Sequence, residues 1–375
     1  MAGIERTRSA EKGSARRPEL GHQPYQMGKA VSVPAQYTPI QVRELLNSVP
    51  RICLSHLPTP LDLAPRLSER LGITLRIKRE DCAGLTFGGN YARAVEFTLA
   101  DALAANADAV IHGAAGQSNH CRQVAAGCAR LGLECHLVVR NSSRTVHSRG
   151  NLLLDHLLGA VVHVVDAELG NGIEAEKSRL YERLSTANPH KNYYLYERDR
   201  ISPLATLASA ECFVEIFEQS TEPIDVVYLS SAGANQAGFL LARDLLGLKT
   251  TVIGVAPIDW DATTIIGRCY DAARALLGLP PAPLDPDSIE NVSRYIGPGY
   301  AEPTPESLEA MTLAASHEAI VLAPVYTGKA FAALIADAEQ GVMREGTRVI
   351  FVHTGGTPVF DLYGDDILKY LGLRA

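Results

Sequence analysis

The order of its apolar segments constrains this chain more than any other feature. Ala109-Val110-Ile111-His112, Glu134-Cys135-His136-Leu137-Val138-Val139, Val161-Val162-His163-Val164-Val165, Val226-Val227-Tyr228-Leu229, Thr251-Val252-Ile253-Gly254-Val255 and Arg348-Val349-Ile350-Phe351-Val352 are short and almost continuously apolar. Helical runs fall between them at 90–105, 120–131, 148–158, 174–186, 263–277, 305–315 and 328–339. Strands that are apolar on both faces need cover on both faces, and strand–helix alternation supplies it around a parallel sheet. The expectation is an α/β fold of parallel twisted sheets covered by helices, with right-handed crossovers. Ligands of such sheets collect at the carboxyl ends of the strands.

The stretch before this alternation is read from its punctuation. Structure is expected to begin at Tyr37-Thr38-Pro39 and lead into Ile40-Gln41-Val42-Arg43-Glu44-Leu45-Leu46. Pro58-Thr59-Pro60-Leu61 is extended, because residues before proline avoid the helical region. A short helix over 65–71 stops at Gly72, and 74–78 alternates like a strand. The first 36 residues mix Arg and Lys with Glu and contain no apolar core of a secretory signal. They read as a disordered or loosely packed arm.

Composition narrows the partners. A net charge of −7 and a pI of about 5.9 argue against nucleic acid or an anionic membrane surface. No apolar run has transmembrane length. Seven cysteines are scattered without a CxxC pair, which suits reduced thiols in the cytoplasm. Cys121, Cys128 and Cys135 recur every seven residues and read as small core hydrophobes. The histidines show no HxxxH or HExxH spacing, so no metal site is expected.

Four small-residue loops fall at element junctions: 87–91, 113–119, 230–236 and 353–357. In the first, Gly88 and Gly89 allow a tight turn and close ligand approach, and Asn90 can cap the helix that follows. Gln117-Ser118-Asn119-His120 opens another helix, where free N–H groups and side-chain donors suit a carboxylate; a plain N-cap is the bland alternative. Ser231-Ala232-Gly233-Ala234-Asn235 has the geometry of an anion cradle, or only that of a strand–helix turn. Tyr326 and Thr327 precede a helix, and a tyrosine there is more often packed than catalytic. Lys78-Arg79-Glu80-Asp81 reads by default as a solvated charge run.

Together these motifs resemble one family. Pro58-Thr59-Pro60-Leu61, Ile77-Lys78-Arg79-Glu80-Asp81, Gly84-Leu85, Gly88-Gly89-Asn90, Gln117-Ser118-Asn119-His120-Cys121-Arg122-Gln123, Pro324-Val325-Tyr326-Thr327-Gly328-Lys329-Ala330 and His353-Thr354-Gly355-Gly356 look like the 1-aminocyclopropane-1-carboxylate (ACC) deaminase and D-cysteine desulfhydrase family. The resemblance runs from about residue 50 to the C-terminus. It implies the two-domain tryptophan-synthase-β type of pyridoxal phosphate (PLP) fold, fold type II, and usually a homodimer. A small domain over 92–198 would face a large one built from 37–91 and 199–375, with all the loops in the cleft between them. Gln117, Ser118, Asn119 and His120 would grip a substrate carboxylate, and Asn119 would also meet the ring hydroxyl of PLP. Asn90 and the loop Ser231, Ala232, Gly233, Ala234 and Asn235 would hold the cofactor, with Thr327 and Thr354 near its pyridine nitrogen. Tyr326 and Tyr300 would stand beside the substrate.

Two departures matter. The family's central motif is Gly-Gly-Asn-Lys, whose lysine forms the imine with PLP; Tyr91 stands there, and a phenol cannot form an imine. The cradle Ser-Ala-Gly-Ala-Asn stands where the family has Gly-Ser-Gly-Gly-Thr. One expectation is a repurposed lyase- or deaminase-like enzyme for a small amino acid or carboxylate, with PLP held without a covalent link or absent. Tyr91 then lines the pocket or acts as an acid or base; as a base its pKa must fall about three units, worth about 4 kcal/mol. The alternative is a non-catalytic ligand-binding protein or partner subunit of the same fold.

Overall fold

The computed structural model describes residues 37–142 and 148–373. The expected N-terminal arm, 1–36, lies outside the described residues. The chain opens with helix α1 (Pro39–Asn47), where Thr38 and Gln41 cap each other's backbone N–H reciprocally. Strand β1 (Leu61–Leu63), helix α2 (Pro65–Leu71) and strand β2 (Thr74–Lys78) follow, with Gly72 closing α2 in the left-handed conformation. Helix α3 (Tyr91–Ala104) leads into β3 (Ala109–Ala115), α4 (Asn119–Leu131), β4 (Glu134–Arg140), α5 (Gly150–Leu157), β5 (Val161–Val165), α6 (Asn171–Ala187) and β6 (Tyr193–Leu195). Then come α7 (Arg198–Gln219), β7 (Val226–Ser230), α8 (Ala234–Leu245), β8 (Thr251–Val255), α9 (Ala262–Leu276), β9 (Asn291–Val292), α10 (Pro305–Glu318), α11 (Thr327–Glu339), β10 (Arg348–Val352) and α12 (Gly364–Tyr370).

Two sheets result. The larger has the order β1-β2-β10-β7-β8-β9 and the smaller the order β5-β4-β3-β6. Every strand pairing is parallel except that of β1 with β2. The apolar strands are covered on both faces, as their composition requires. Val227, Leu229, Val252 and Ile350 pack with α1, α7, α8 and α9 on one side of the larger sheet. Val226, Tyr228, Ile253 and Phe351 pack with α2, α10 and α11 on the other. In the smaller sheet Val110, Leu137 and Val139 face α3 and α4, while Ala109, Ile111 and Val138 face α6. The α/β architecture of parallel, helix-covered sheets is therefore the observed one. Among the described residues no helix is long and apolar enough to cross a membrane.

Three expectations need correction or completion. Helix α7 has no counterpart in the periodicity, because residues 206–216 are buried all round and leave no polar face to mark a period. Lys78 and Glu80 do not belong to a solvated charge run, being 0% and 1% exposed. Arg93 donates to Glu80 (Nε to Oε2, 2.7 Å) and to Glu215 (Nη2 to Oε2, 2.6 Å), and Lys78 Nζ meets Glu215 Oε2 at 2.9 Å. Burial alone would raise the Glu80 pKa; Arg93, Thr59 and Lys78 outweigh it and hold the carboxyl below its ordinary range. The cysteines divide: Cys121, Cys128, Cys135, Cys212 and Cys269 are core residues, whereas Cys53 and Cys82 are exposed.

Candidate active site

The turn that enters α3 is left-handed. Gly84, Leu85, Thr86, Phe87, Gly88 and Gly89 all have positive φ, from 46° at Leu85 to 114° at Gly89, and Gly88 N–H bonds back to Gly84 O at 2.8 Å. Side chains at Leu85, Thr86 and Phe87 pay about 1–2 kcal/mol each for this conformation, so surrounding contacts must hold it. Arg122 does so, donating to Thr86 O and, at 3.1 Å, to Gly88 O, which Gln123 Nε2 also meets at 2.6 Å. Asn90 N–H then bonds Thr354 O at 3.1 Å, tying the start of α3 to the end of β10. Asn90 is not the side-chain cap anticipated for α3; its Nδ2 donates instead to Asn235 Oδ1 at 3.1 Å.

Tyr91, the first residue of α3, lies flat against His120, with ring centroids 4.5 Å apart and planes 8° from parallel. Burial, with smaller contributions from Tyr300 and Cys121, pushes the Tyr91 phenol up to about 12. That is opposite to the shift a general base would need, so Tyr91 holds its proton and can only donate it near neutral pH. Burial also lowers His120 to about 3, with Lys177 adding to the effect, so the imidazole is neutral and brings no positive charge to a carboxylate. Behind His120 stands His112, with centroids 4.3 Å apart. Both ring nitrogens of His112 and Nε2 of His120 are buried without a hydrogen-bond partner among the described residues. Sequence reading did not single out His112, because its meeting with His120 depends on how α4 packs over the end of β3.

The loop from β3 to α4 divides its work. Ser118 Oγ accepts from His120 N–H at 3.1 Å and Cys121 N–H at 3.2 Å, so Ser118 is the N-cap of α4. Gln117 is committed to α5: its Nε2 donates to Arg149 O and its Oε1 accepts from Asn151 N–H. Asn119 accepts from Asn151 Nδ2 at 2.9 Å. Opposite it, Gly356 is bare; a Cβ there would lie 3.6 Å from Asn119 Nδ2 and 4.0 Å from a Tyr326 ring carbon. Asn119, Tyr326 and the loop after β10 therefore face one another, as the convergence of the loops requires. Tyr326 and Tyr300 share a hydrogen bond of 2.6 Å between hydroxyls, and burial raises both phenols. Thr327 is fully buried and its hydroxyl is engaged with the backbone of Ala323, which leaves Thr354 as the threonine facing Asn90.

The cradle at α8 is partly filled from within. Ser231 Oγ accepts from Gly233 N–H at 3.2 Å and Gln236 N–H at 3.0 Å, capping a helix whose formal cap, Gly233, has no side chain. The N–H groups of Ala232, Ala234 and Asn235 make no hydrogen bond among the described residues. Asn235 Oδ1 accepts from Asn90 and from Ser209 (3.2 Å), which leaves its amide NH2 as a donor. Free amides at the start of a twelve-residue helix, without a carboxylate among them, form a donor set that suits the phosphate of PLP. Among the described residues no group of His, Cys, Asp or Glu is placed to hold a metal.

Comparison with known proteins accords with this geometry. Residues 52–355 match the model of the family described as pyridoxal-phosphate dependent enzyme. The chain is 35% identical over 335 residues to a D-cysteine desulfhydrase of Klebsiella pneumoniae (strain 342), covering 85% of this chain and 97% of the relative. It is 34% identical over 325 residues to a D-cysteine desulfhydrase of Salmonella choleraesuis (strain SC-B67), with the same coverage of 85% and 97%. Among solved structures, one described as an ACC deaminase homologue superposes with a TM-score of 0.80 at 30% identity, over 88% of this chain and 98% of the other. Threonine deaminase isoform 2 from Solanum lycopersicum shares the fold, with a TM-score of 0.62 at 17% identity over 94% of this chain and 99% of that one. The chain belongs to the pyridoxal-phosphate dependent enzymes of fold type II, in the group of ACC deaminase and D-cysteine desulfhydrase.

Proposed function

We propose that the protein is a divergent enzyme of this group that acts on a small amino acid or related carboxylate by lyase- or deaminase-like chemistry, without a covalent bond between PLP and a lysine. The carrying observation is Tyr91. It opens α3 immediately after Gly88-Gly89-Asn90, stacked on His120, at the position where the family's motif has its lysine. A phenol supplies no amine, and this one keeps its proton.

PLP, when bound, supplies an electron sink for charge developed beside a carboxylate. Ala232, Ala234 and Asn235 would hold its phosphate, Asn119 its ring oxygen, and Thr354 would lie at its ring nitrogen. Asn119 offers an amide to an anionic oxygen. Tyr300 and Tyr326 share one proton between two oxygens and so leave one hydroxyl hydrogen for the ligand. Tyr91 holds a further proton within electrostatic reach of that pair.

A second reading is favoured by Ser231, which occupies two amides of the cradle: a non-catalytic ligand-binding protein or partner subunit. Two measurements separate the readings. The protein is purified with PLP, its absorbance recorded, and the sample reduced with borohydride before peptide mapping. The proposed enzyme binds PLP reversibly and yields no PLP-modified peptide, whereas a modified lysine peptide overturns the proposal. It also turns over a member of a panel of small amino acids, including D-cysteine and ACC; no turnover of any member favours the second reading. The protein is further proposed to be a cytoplasmic homodimer.

A further inference from the structure

We infer that Arg122 and Asn151 are positioning residues that fix the Asn119 side chain with its amide NH2 toward the cleft, so that the site accepts an anionic oxygen there and rejects a donor. The inference rests on the proposed binding role of Asn119 but concerns residues to which that reading gives no part.

The orientation follows from donor logic. An arginine guanidinium has only donors. Arg122 Nε lies 2.8 Å from Asn151 Oδ1, so that atom of Asn151 has to be the oxygen. The other end of Asn151 is then its NH2, which agrees with its 2.9 Å contact to Gln117 O, a pure acceptor. The same NH2 lies 2.9 Å from the Asn119 side chain, so Asn119 must present oxygen to it. Its own NH2 then points away from Asn151, to the side of Gly356, where a Cβ would lie 3.6 Å from Nδ2. The polarity of Asn119 is thus set by a charge two residues removed from the cleft.

Arg122 and Asn151 are 0% exposed, so the chain of bonds has no water to substitute for a lost partner. Arg122 also holds the carbonyls of Thr86 and Gly88, in the turn that delivers Tyr91. One guanidinium therefore sets both the start of α3 and the polarity of Asn119. The matching ligand atom is an oxygen that only accepts: a carboxylate oxygen or the deprotonated ring oxygen of PLP.

The test is Asn151→Asp. The carboxylate still accepts from Arg122 but cannot donate, so Asn119 must rotate its NH2 toward it and turn its carbonyl to the cleft. Asparagine-selective 15N labelling follows the Asn119 side-chain amide by NMR, with Asn119→Asp identifying its signals. We expect that amide pair to move in ligand-free Asn151→Asp, and Asn151→Ala to leave Asn119 without a fixed orientation and its pair broadened. PLP binding is read by absorbance and ACC binding by calorimetry, in separate titrations. A roughly 10- to 100-fold weakening is expected for whichever probe places its oxygen at Asn119; loss for PLP alone identifies the ring oxygen, loss for ACC alone the carboxylate. An Asn119 signal unchanged in Asn151→Asp overturns the inference, as does equal affinity of the variant and the parent for every probe that the parent binds. If neither probe binds the parent, the proposed function fails, and the ligand-free amide signal still decides the inference.

Discussion

The Tyr91 ring lies on the His120 ring at a centroid distance of 4.5 Å with only 8° between the planes. This pairing fixes the phenol at the head of α3 and contributes about 0.5–1.5 kcal/mol beyond the area buried. It also removes both groups from acid–base duty as bases or cations. The phenol is pushed up to about 12 and the imidazole down to about 3, in each case chiefly by burial. Any chemistry at this point uses hydrogen-bond and proton donation from a neutral wall.

The left-handed turn before Tyr91 depends on Gly88. A Cβ there would lie 1.9 Å from Asp81 O, a backbone atom that cannot swing away, and φ is already +62°. Gly88→Ala is expected to destabilise the fold by about 3 kcal/mol or more, by combining backbone strain with a clash. Gly132→Ala is the control, since φ is +71° there but nothing lies within 4 Å of the added atom. It should cost only the left-handed strain, about 1 kcal/mol. Denaturant titration of both variants reads the difference, and equal midpoints would remove the role given to Asp81.

Arg93 sits between Glu80 and Glu215 with 1% exposure. Arg93→Met keeps much of the side-chain volume but leaves Glu80 without its ion-pair partner and Glu215 with Lys78 alone. The expected loss is about 3–5 kcal/mol, the usual result of breaking a buried ion pair on one side. Replacing Lys78, Arg93, Glu80 and Glu215 together by apolar residues should cost less than the single change, because it leaves no buried charge of this network unpaired. A quadruple variant less stable than Arg93→Met would show that the network supplies net stability.

Asp155 on α5 is fully buried, both its carboxylate oxygens are unpartnered among the described residues, and burial raises it to about 7 despite nearby Arg122. Its folded pKa lies above the unfolded value, so the folded state binds the extra proton. The stability it contributes is complete below about pH 4 and is lost as pH rises through 7. Asp155→Asn imitates the neutral form at every pH. The variant should match the parent near pH 4 and exceed it at pH 8, by up to about 4 kcal/mol. His112 and His120 are lowered by burial and act in the opposite sense, losing stability as pH falls below about 6.5, but they are common to both proteins and cancel in the difference. Melting curves from pH 4 to 8 read it directly, and a constant gap would mean that Asp155 does not titrate there.

Most of the two sheets was legible because the longer strands carry their own signal of apolar residues, whereas β1, β6 and β9, of three, three and two residues, are too short to carry one. The loops of the site were legible for the same reason, since glycine, serine and asparagine at a strand–helix junction have few other uses. What local reading missed is what depends on distant partners. Lys78 reads as solvated until Glu215 is placed 137 residues away and 2.9 Å distant. The hydroxyls of Ser118 and Thr327 also accept from backbone N–H groups, of His120 and Cys121 and of Ala323, a division of work that the local pattern leaves open. Asn151 carries no local mark at all, because its meaning lies in Arg122 on one side and Asn119 on the other.

Tyr91 itself separates the functional readings. Tyr91→Phe preserves the stack on His120 and nearly all the volume, so stability should change by less than about 1.5 kcal/mol. Loss of the hydroxyl should lower the rate of the native reaction by roughly 10²–10⁴ if it donates the proton. Full activity in Tyr91→Phe would make the ring a wall of the pocket and nothing more. Tyr91→Lys asks about the rest of the site. The free amides of Ala232, Ala234 and Asn235 and the donor face of Asn119 are in place, so the variant should turn yellow with PLP and fix it upon borohydride reduction. Deamination of small amino acids by that variant would mean that one substitution separates this protein from its relatives' covalent chemistry. A colourless variant would mean that Ser231, by taking the Gly233 and Gln236 amides for itself, has closed the cradle to phosphate. The parent's ligand would then be a carboxylate bound without PLP.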